Sequence, residues 1–562
     1  MRNQKRWVAC LMAAIMAGGT LAGCGASASK TETTTAKTEA AGTTDTKAAD
    51  TTEAAAGGEL TVEEEFAQDM AAEPIVMEWR NGSTTAEIDE NSEIVQYLKE
   101  RFNVIEKSWY VDSKNYWENV NVRFAGGEMP DVLRIDNVSQ LSSLVEGGIV
   151  AELPIETIRK YAPNYAKVMD ENDDGSYWTT LLYKGKNYGI ACPQAPTPHA
   201  MIWRKDWLDR LGLEVPTTLE EYEKVLTAFV EDDPDGNGKN DTAGMAERAM
   251  GAIFGAYGVR CVTGLDTRSQ FFTEEMQLGE DNVPFFPYIR PEAKEGLALL
   301  HDWYEKGIID KEFITGENHG GYGGLSHSFM NGQIGLTTAQ PYHYLVASTD
   351  SSDESNWGIC MKEFKALNPD GDIVYGPAPI GPDGKSGTEA WGKLGSFTCL
   401  TTKAAEDPRK VRTFLRTLDD YFTDVEYMKM VNFGIEGKHY KANDGNPQRL
   451  VDGTELRKQG ILTVDFGNTP KYAEEITSKK TAFGKEVTGN GYYRFNVPPV
   501  EEFTNAIATL DTMTEQAYFD IISGAKPVDY FDTFVEEFKK AGGEAAEKAV
   551  QEEYASRLEA LK

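Results

Sequence analysis

The stretch from Trp203 to Gly244, WRKDWLDRLGLEVPTTLEEYEKVLTAFVEDDPDGNGKNDTAG, leaves the backbone little choice. Lys205 to Arg210 predicts a short helix that Gly212 can end in a left-handed cap. Pro216 sets a turn, and Thr217 or Thr218 offers an N-cap with Glu220 or Glu221 three residues on. Leu219, Tyr222, Leu226 and Phe229 recur at helical spacing, so the second helix buries one face. Directly after it, Asp233, Asp235, Asn237, Lys239 and Asp241 take positions 1, 3, 5, 7 and 9 of an EF-hand-like loop, with Gly238 at the sharp turn. Lys239 can contribute only its carbonyl, and Gly244 stands where an EF-hand places its bidentate Glu, so a true EF-hand is excluded. An oxygen-rich loop of this kind suits a hard cation such as calcium in a structural role, pinning helix to strand; an Asn/Gly-rich turn is the alternative.

From Ile75 onward short strands and helices alternate. Ile75 to Trp79 reads as a strand, Ile94, Tyr97, Leu98 and Phe102 line a helix, and Trp117 to Phe124 form another. Pro130 to Leu133 reads as a buried strand, and Leu141 to Val145 as a helix closed by Gly147-Gly148. The pattern predicts an α/β protein of mostly parallel sheets flanked by helices. Further on, Ala293 to Lys306 is an amphipathic helix, and Asp407-Pro408 opens one running through Val411, Phe414 and Leu418. Phe503, Ile507 and Leu510, then Phe531, Phe534 and Phe538, mark a helical tail. Trp203, Trp207 and Trp303 lie on helical faces and read as core.

The amino terminus reads as an address. Arg2, Lys5 and Arg6 precede an apolar run, Trp7 to Ala17, too short to span a bilayer. Leu21-Ala22-Gly23-Cys24 resembles a bacterial lipobox, which implies cleavage after residue 23 and a lipid on Cys24. Gly25 to Gly58, rich in Ala, Thr, Ser, Glu and Lys, reads as a solvated tether, with the folded part starting near residue 73.

Several motifs together resemble the extracellular solute-binding lipoproteins of ABC transporters, the sugar- and oligosaccharide-type, LplA-like family 1. These are R-K-D-W-L-x-x-L-G-L-x-V-P-T-T-x-x-E-Y from Arg204, the loop after it, G-G-E-M-P-D-V, G-G-I-V-A-E-L-P, Y-A-P-N at 161–164, Lys184 to Ile190, and Gly434 to Tyr440. The resemblance implies a two-lobed periplasmic-binding-protein-like fold of class II with the ligand cleft between the lobes. It also implies a calcium-binding counterpart of loop 233–241. By analogy the chain crosses between lobes at Pro193–Pro198, again at Phe329–Leu336 and a third time near Thr402. Lobe 1 is then 73–192 plus 337–402, and lobe 2 is 193–336 plus 403–562. Open α/β sheets place ligands at the carboxyl ends of strands, which nominates Trp79, Arg80, Asn81, Asp136 and Asn137. Tyr342 and Tyr344 match the family position of a sugar-stacking aromatic, and Trp391 precedes a Gly-rich strand near the third crossing.

Composition excludes other partners. Against 56 Lys+Arg the chain carries 90 Asp+Glu, a formal charge of −34. Such a surface repels nucleic acid and anionic lipid. Cys192, Cys261, Cys360 and Cys399 sit in apolar contexts without metal spacing and read as buried thiols. There is no HExxH, GxSxG or CxxC, the six histidines are scattered, and Pro379 spoils a Walker-like PIGPDGKSG. With no catalytic motif to set against it, the resemblance implies a non-enzymatic, monomeric receptor on the outer face of the bacterial membrane, delivering a carbohydrate to the transmembrane subunits of an ABC permease. A secreted glycoside-active enzyme using a carboxylate pair, and a peptide- or signal-sensing lipoprotein on the same fold, are the rival readings.

Overall fold

The computed structural model describes residues 60–560 except 81–86, 112–115, 136, 173–176, 196, 262–275, 316–325, 444 and 468. The expected signal peptide, Cys24 and most of the expected tether lie outside these residues, as do Asn81 and Asp136.

The opening stretch folds as its residues dictate. The helix Lys205–Leu211 ends on Gly212 at φ 66°, ψ 35°. The helix Leu219–Glu231 starts from Thr218 in a complete capping box with Glu221. Its apolar face drives Tyr222, Leu226 and Phe229 fully inside, against Trp203 and Trp207, whose rings lie 6.1 and 5.4 Å from that of Phe229. Burying such a side chain is worth roughly 1.5–3 kcal/mol, so these rings anchor the lobe around them. Trp303 is equally buried.

Two bodies of core lie on either side of a hinge. The first holds residues from 75 to 192 and from 394 to 476. The second is built from residues 201–550 outside that range, in two adjoining clusters. The lobe 1 sheet sets Val104–Ser108, Ile75–Arg80, Val132–Arg134, Leu394–Leu400 and Ile190–Pro193 side by side. The lobe 2 sheet sets Ile373–Gly376, Ala200–Arg204, Ile334–Ala339 and Ala243–Met245 side by side. The α/β, two-lobed class expected from the sequence is the fold observed.

Within that class the sheets are mixed rather than mostly parallel. Leu394–Leu400 runs antiparallel to both its neighbours, and Ala200–Arg204 to both of its own. The hinge dictates this direction. A strand leaving a lobe toward the hinge and one re-entering from it lie side by side only by running in opposite senses.

The lobe boundaries also differ from those expected. The stretch Phe329–Leu336, expected to be the second crossing, instead leads into Ile334–Ala339, a fully buried strand inside lobe 2, antiparallel to Ala200–Arg204 and parallel to Ala243–Met245. A continuous apolar run of this kind looks the same whether it crosses a hinge or fills a sheet. Residues 337–390 thus stay with lobe 2, and the chain returns to lobe 1 at 391–393 rather than near Thr402. Residues 403–476 belong to lobe 1, where Phe414, Leu418 and Tyr427 fill its core, and the last passage runs through 477–482. Residues 62–71, expected within the tether, form a capped helix. Its Asp69 pairs with Arg412 at 2.6 Å and accepts, through its carbonyl, from the Asn103 amide at 2.8 Å, so lobe 1 starts about a dozen residues early. Cys192, Cys261, Cys360 and Cys399 are buried free thiols; burial pushes Cys360 and Cys399 up to about 12.

Candidate functional site

The carboxyl end of Ile190–Pro193 and the amino end of Leu394–Leu400 point to the hinge from lobe 1. From lobe 2, the amino end of Ala200–Arg204 and the carboxyl end of Ile334–Ala339 point to it. A cavity of about 120 Å³ opens where these ends meet. Its lining comes from all three passages: Gln194, Ala195 and Thr197 from the first, Trp391 from the second, and Tyr472, Thr477, Lys480 and Thr481 from either side of the third, with Gln340, Pro341 and Tyr342 at the end of Ile334–Ala339. A wider cavity of about 730 Å³ shares Tyr342, Tyr472, Thr477 and Lys480 and extends past Trp357, Asn446, Gln448 and Arg449. Together they form one groove between the lobes, bridged by a hydrogen bond from the Gln448 side chain to the Ser355 carbonyl at 3.0 Å.

Of the aromatic residues nominated from sequence, Trp391 and Tyr342 line this groove, and the Trp391 side is 43% exposed. Tyr342 has the Lys480 ammonium 3.5 Å from its ring centre and the His343 ring beside it at 4.4 Å. Burial first, then the positive neighbours His199, Lys480 and Arg248, hold His343 down to about 3.

Trp79 does not reach the groove. It is 1% exposed and wedged between Phe414 and Phe466, at 5.9 and 6.0 Å, because its side of the strand faces the helix Pro408–Thr423. Tyr344 is fully buried edge-on to Phe329. Arg80 is buried too, its guanidinium 4.9 Å over Trp117 and bonded to the Arg134 carbonyl. Asn137 spends its side-chain oxygen on Ser139 N–H at 3.1 Å, capping Val138–Gln140. Trp79, Arg80 and Tyr344 are packed in the interior in this conformation, the first two because a strand's last residues pack into the sheet–helix interface as readily as they reach beyond it.

The residues that sequence reasoning missed are Gln194, Thr197, Gln340, Arg449, Tyr472, Thr477 and Lys480. Most fall in connections without periodicity, and only the meeting of the three passages gathers them.

Loop 233–241 lies apart from the groove's lining. Asp233 adopts φ 46°, and its Oδ2 accepts from Gly238 N–H at 3.0 Å. The Asn237 amide donates to Asp235 at 2.7 Å and Asp241 at 3.0 Å. Arg210 donates to the Pro234 carbonyl and Thr242 to the Phe229 carbonyl, each at 2.7 Å, tying the loop to both helices. Asp233 Oδ1 is buried with no hydrogen-bond partner among the described residues. Among those residues no three His, Cys, Asp or Glu side chains gather as a metal-binding group.

Two lobes around a groove at strand ends is the fold that solute-binding proteins of the periplasmic type share. Residues 92–284 match the family described as bacterial extracellular solute-binding protein, the resemblance read from the motifs. Lipoprotein LipO of Bacillus subtilis (strain 168) is 27% identical over 473 residues, covering 80% of this chain and 86% of its own. The polygalacturonan/rhamnogalacturonan-binding protein YtcQ of the same organism is 23% identical over 467 residues, covering 78% and 82%. Among solved structures, the alginate-binding protein AlgQ2 without calcium ion superposes at TM-score 0.62 with 18% identity, covering 86% of this chain and 99% of that one. The family, YtcQ and AlgQ2 are each described as binding proteins.

Proposed function

We propose that the protein is the solute receptor of an ABC importer, held to the outer face of the bacterial membrane by lipid on Cys24. It captures a mono- or oligosaccharide between its lobes and delivers it to the transmembrane permease subunits. One observation carries this reading: a groove where all three passages meet, lined by an open indole, phenol rings, amides and hydroxyls. Flat rings stack on the apolar faces of sugars while amides bond their hydroxyls, and closure about the hinge then excludes water. The saccharide-binding names of YtcQ and AlgQ2 support the same class of ligand.

Loop 233–241 is proposed as a structural calcium site. Asp233, Asp235, Asn237, the Lys239 carbonyl and Asp241 follow the order of oxygen donors calcium takes, and the buried, unpartnered Asp233 Oδ1 is an acceptor that a cation would satisfy. Calcium there would neutralise the carboxylates and fasten the loop, with no part in ligand capture.

The test is a panel of neutral and acidic mono- and oligosaccharides, read by thermal shift and calorimetry on the mature chain. A ligand at 100 times its dissociation constant adds about 2.7 kcal/mol of stability. At least one saccharide is expected to raise the melting temperature and bind with one-to-one stoichiometry. A panel without a single shift sinks the proposal.

A further inference from the structure

Lys480 is out of place in a chain with so large an acidic excess. It stands at the waist of the groove, lining both cavities, on the helix Ser478–Val487. Its ammonium rests on the Tyr342 ring, and among the described residues no carboxylate lies within ion-pairing distance of it. Arg449 lines the same groove, likewise without a carboxylate partner among the described residues. Lys362 adds a third cation, against Glu354 as the one carboxylate among the described residues of that lining. Elsewhere the cations of this protein are commonly answered: Lys403 by Glu78, Lys410 by Asp131, Arg412 by Asp69, Lys306 by Glu223 and Asp302.

A desolvated ammonium without a counter-ion is unfavourable unless something supplies the opposite charge. The cation–π contact with Tyr342 orients it and leaves its charge unneutralised. Burial and Arg449 push Lys480 down to about 8, the direction expected of a cation waiting for an anion.

We propose that the ligand of this groove is an acidic saccharide, a uronate-containing oligosaccharide whose carboxylate seats against Lys480 and Arg449 while its ring faces Trp391. The inference rests on the reading of the groove as a saccharide site and specifies its substrate class. A carboxylate fits where a hydroxyl does not, since it brings the missing charge and accepts from both cations at once.

The experiment uses the mature chain and three trisaccharides: trigalacturonate, its fully methyl-esterified form and a neutral trisaccharide. The ester keeps the shape and removes the charge. Trigalacturonate is expected to bind about tenfold or more tighter than its ester, and to weaken as salt rises. Lys480→Met, which keeps the packing on Tyr342, should lose that advantage for the acid and leave the ester unchanged. Thermal melting of the variant checks that it folds, and Lys480→Arg should restore part of the preference. Equal binding of acid and ester by the wild type overturns the proposal while the saccharide reading stands, as does a Lys480→Met variant that still prefers the acid. Binding of no saccharide, acidic or neutral, would remove the saccharide reading and this inference with it.

Discussion

Trp79 and Trp391 carry the same side chain into opposite settings, one inside a core and the other facing the groove. Trp79→Ala should cost about 3–5 kcal/mol of stability and leave binding intact in the folded fraction. Trp391→Ala should barely move the melting temperature and weaken saccharide binding by about tenfold, or about 1.4 kcal/mol. Calorimetry beside thermal melting separates the two, and the reverse pattern would move the site. His343 gives a second test at this scale. The folded state keeps its ring neutral down to about pH 3, whereas the unfolded chain takes up that proton near its ordinary value of 6.5. Between those values the unfolded state holds more protons, so the contribution of His343 is complete above about pH 6.5 and is lost as pH falls toward 3. His343→Gln should therefore lose less stability than wild type between about pH 7 and pH 4.5 in urea melts. Parallel losses in the two proteins would refute the assignment.

At the scale of elements, the loop 233–241 joins the helix Leu219–Glu231 to the strand Ala243–Met245. Three carboxylates within nine residues repel one another unless a cation or a donor stands between them, and here Asn237 does part of that work. Calcium should raise the melting temperature of the wild type and chelation should lower it, with neither effect in Asp235→Ala. A melting curve indifferent to chelation would make this loop a plain turn. The loop's attachments through Arg210 and Thr242 predict that the change spreads to the flanking helices, seen as altered amide exchange there.

For the whole molecule, the question is how two lobes move on three strands of chain. The helix Glu544–Ala560 of lobe 2 reaches lobe 1 through Arg557, which donates to the Thr179 and Leu182 carbonyls at 2.5 and 2.6 Å and pairs with Glu553 at 2.7 Å. Arg557 is buried, so this contact fastens one edge of the interface, and a closure that kept it intact would pivot about it. Arg557→Met should lower stability by roughly 1.5–3 kcal/mol, the worth of hydrogen bonds to a charged group. It should also widen the gap in radius of gyration between ligand-free and ligand-bound protein in small-angle scattering. If stability and scattering both match the wild type, the pivot lies elsewhere.

What the sequence determined by itself is local. The left-handed Gly212, the Thr218–Glu221 capping box, the buried face of Tyr222, Leu226 and Phe229, and the strand Ile75–Arg80 are each set by neighbours a few residues away. Alternation of such elements is enough for an α/β class, and the motif order for the resemblance that the family match over residues 92–284 repeats. Tertiary structure decided where the chain crosses the hinge, because a buried apolar run such as Ile334–Ala339 carries no mark of which lobe covers it. It also decided which aromatic ring faces the groove. Trp79 and Trp391 are the same letter, as are Tyr344 and Tyr342, and only packing put Trp79 and Tyr344 inside. Lys480 and Tyr342 lie far apart in sequence, and their contact exists because the third passage runs beside the end of a lobe 2 strand. A binding groove assembled from three separate passages has no local signature, since none of its parts holds the shape without the others.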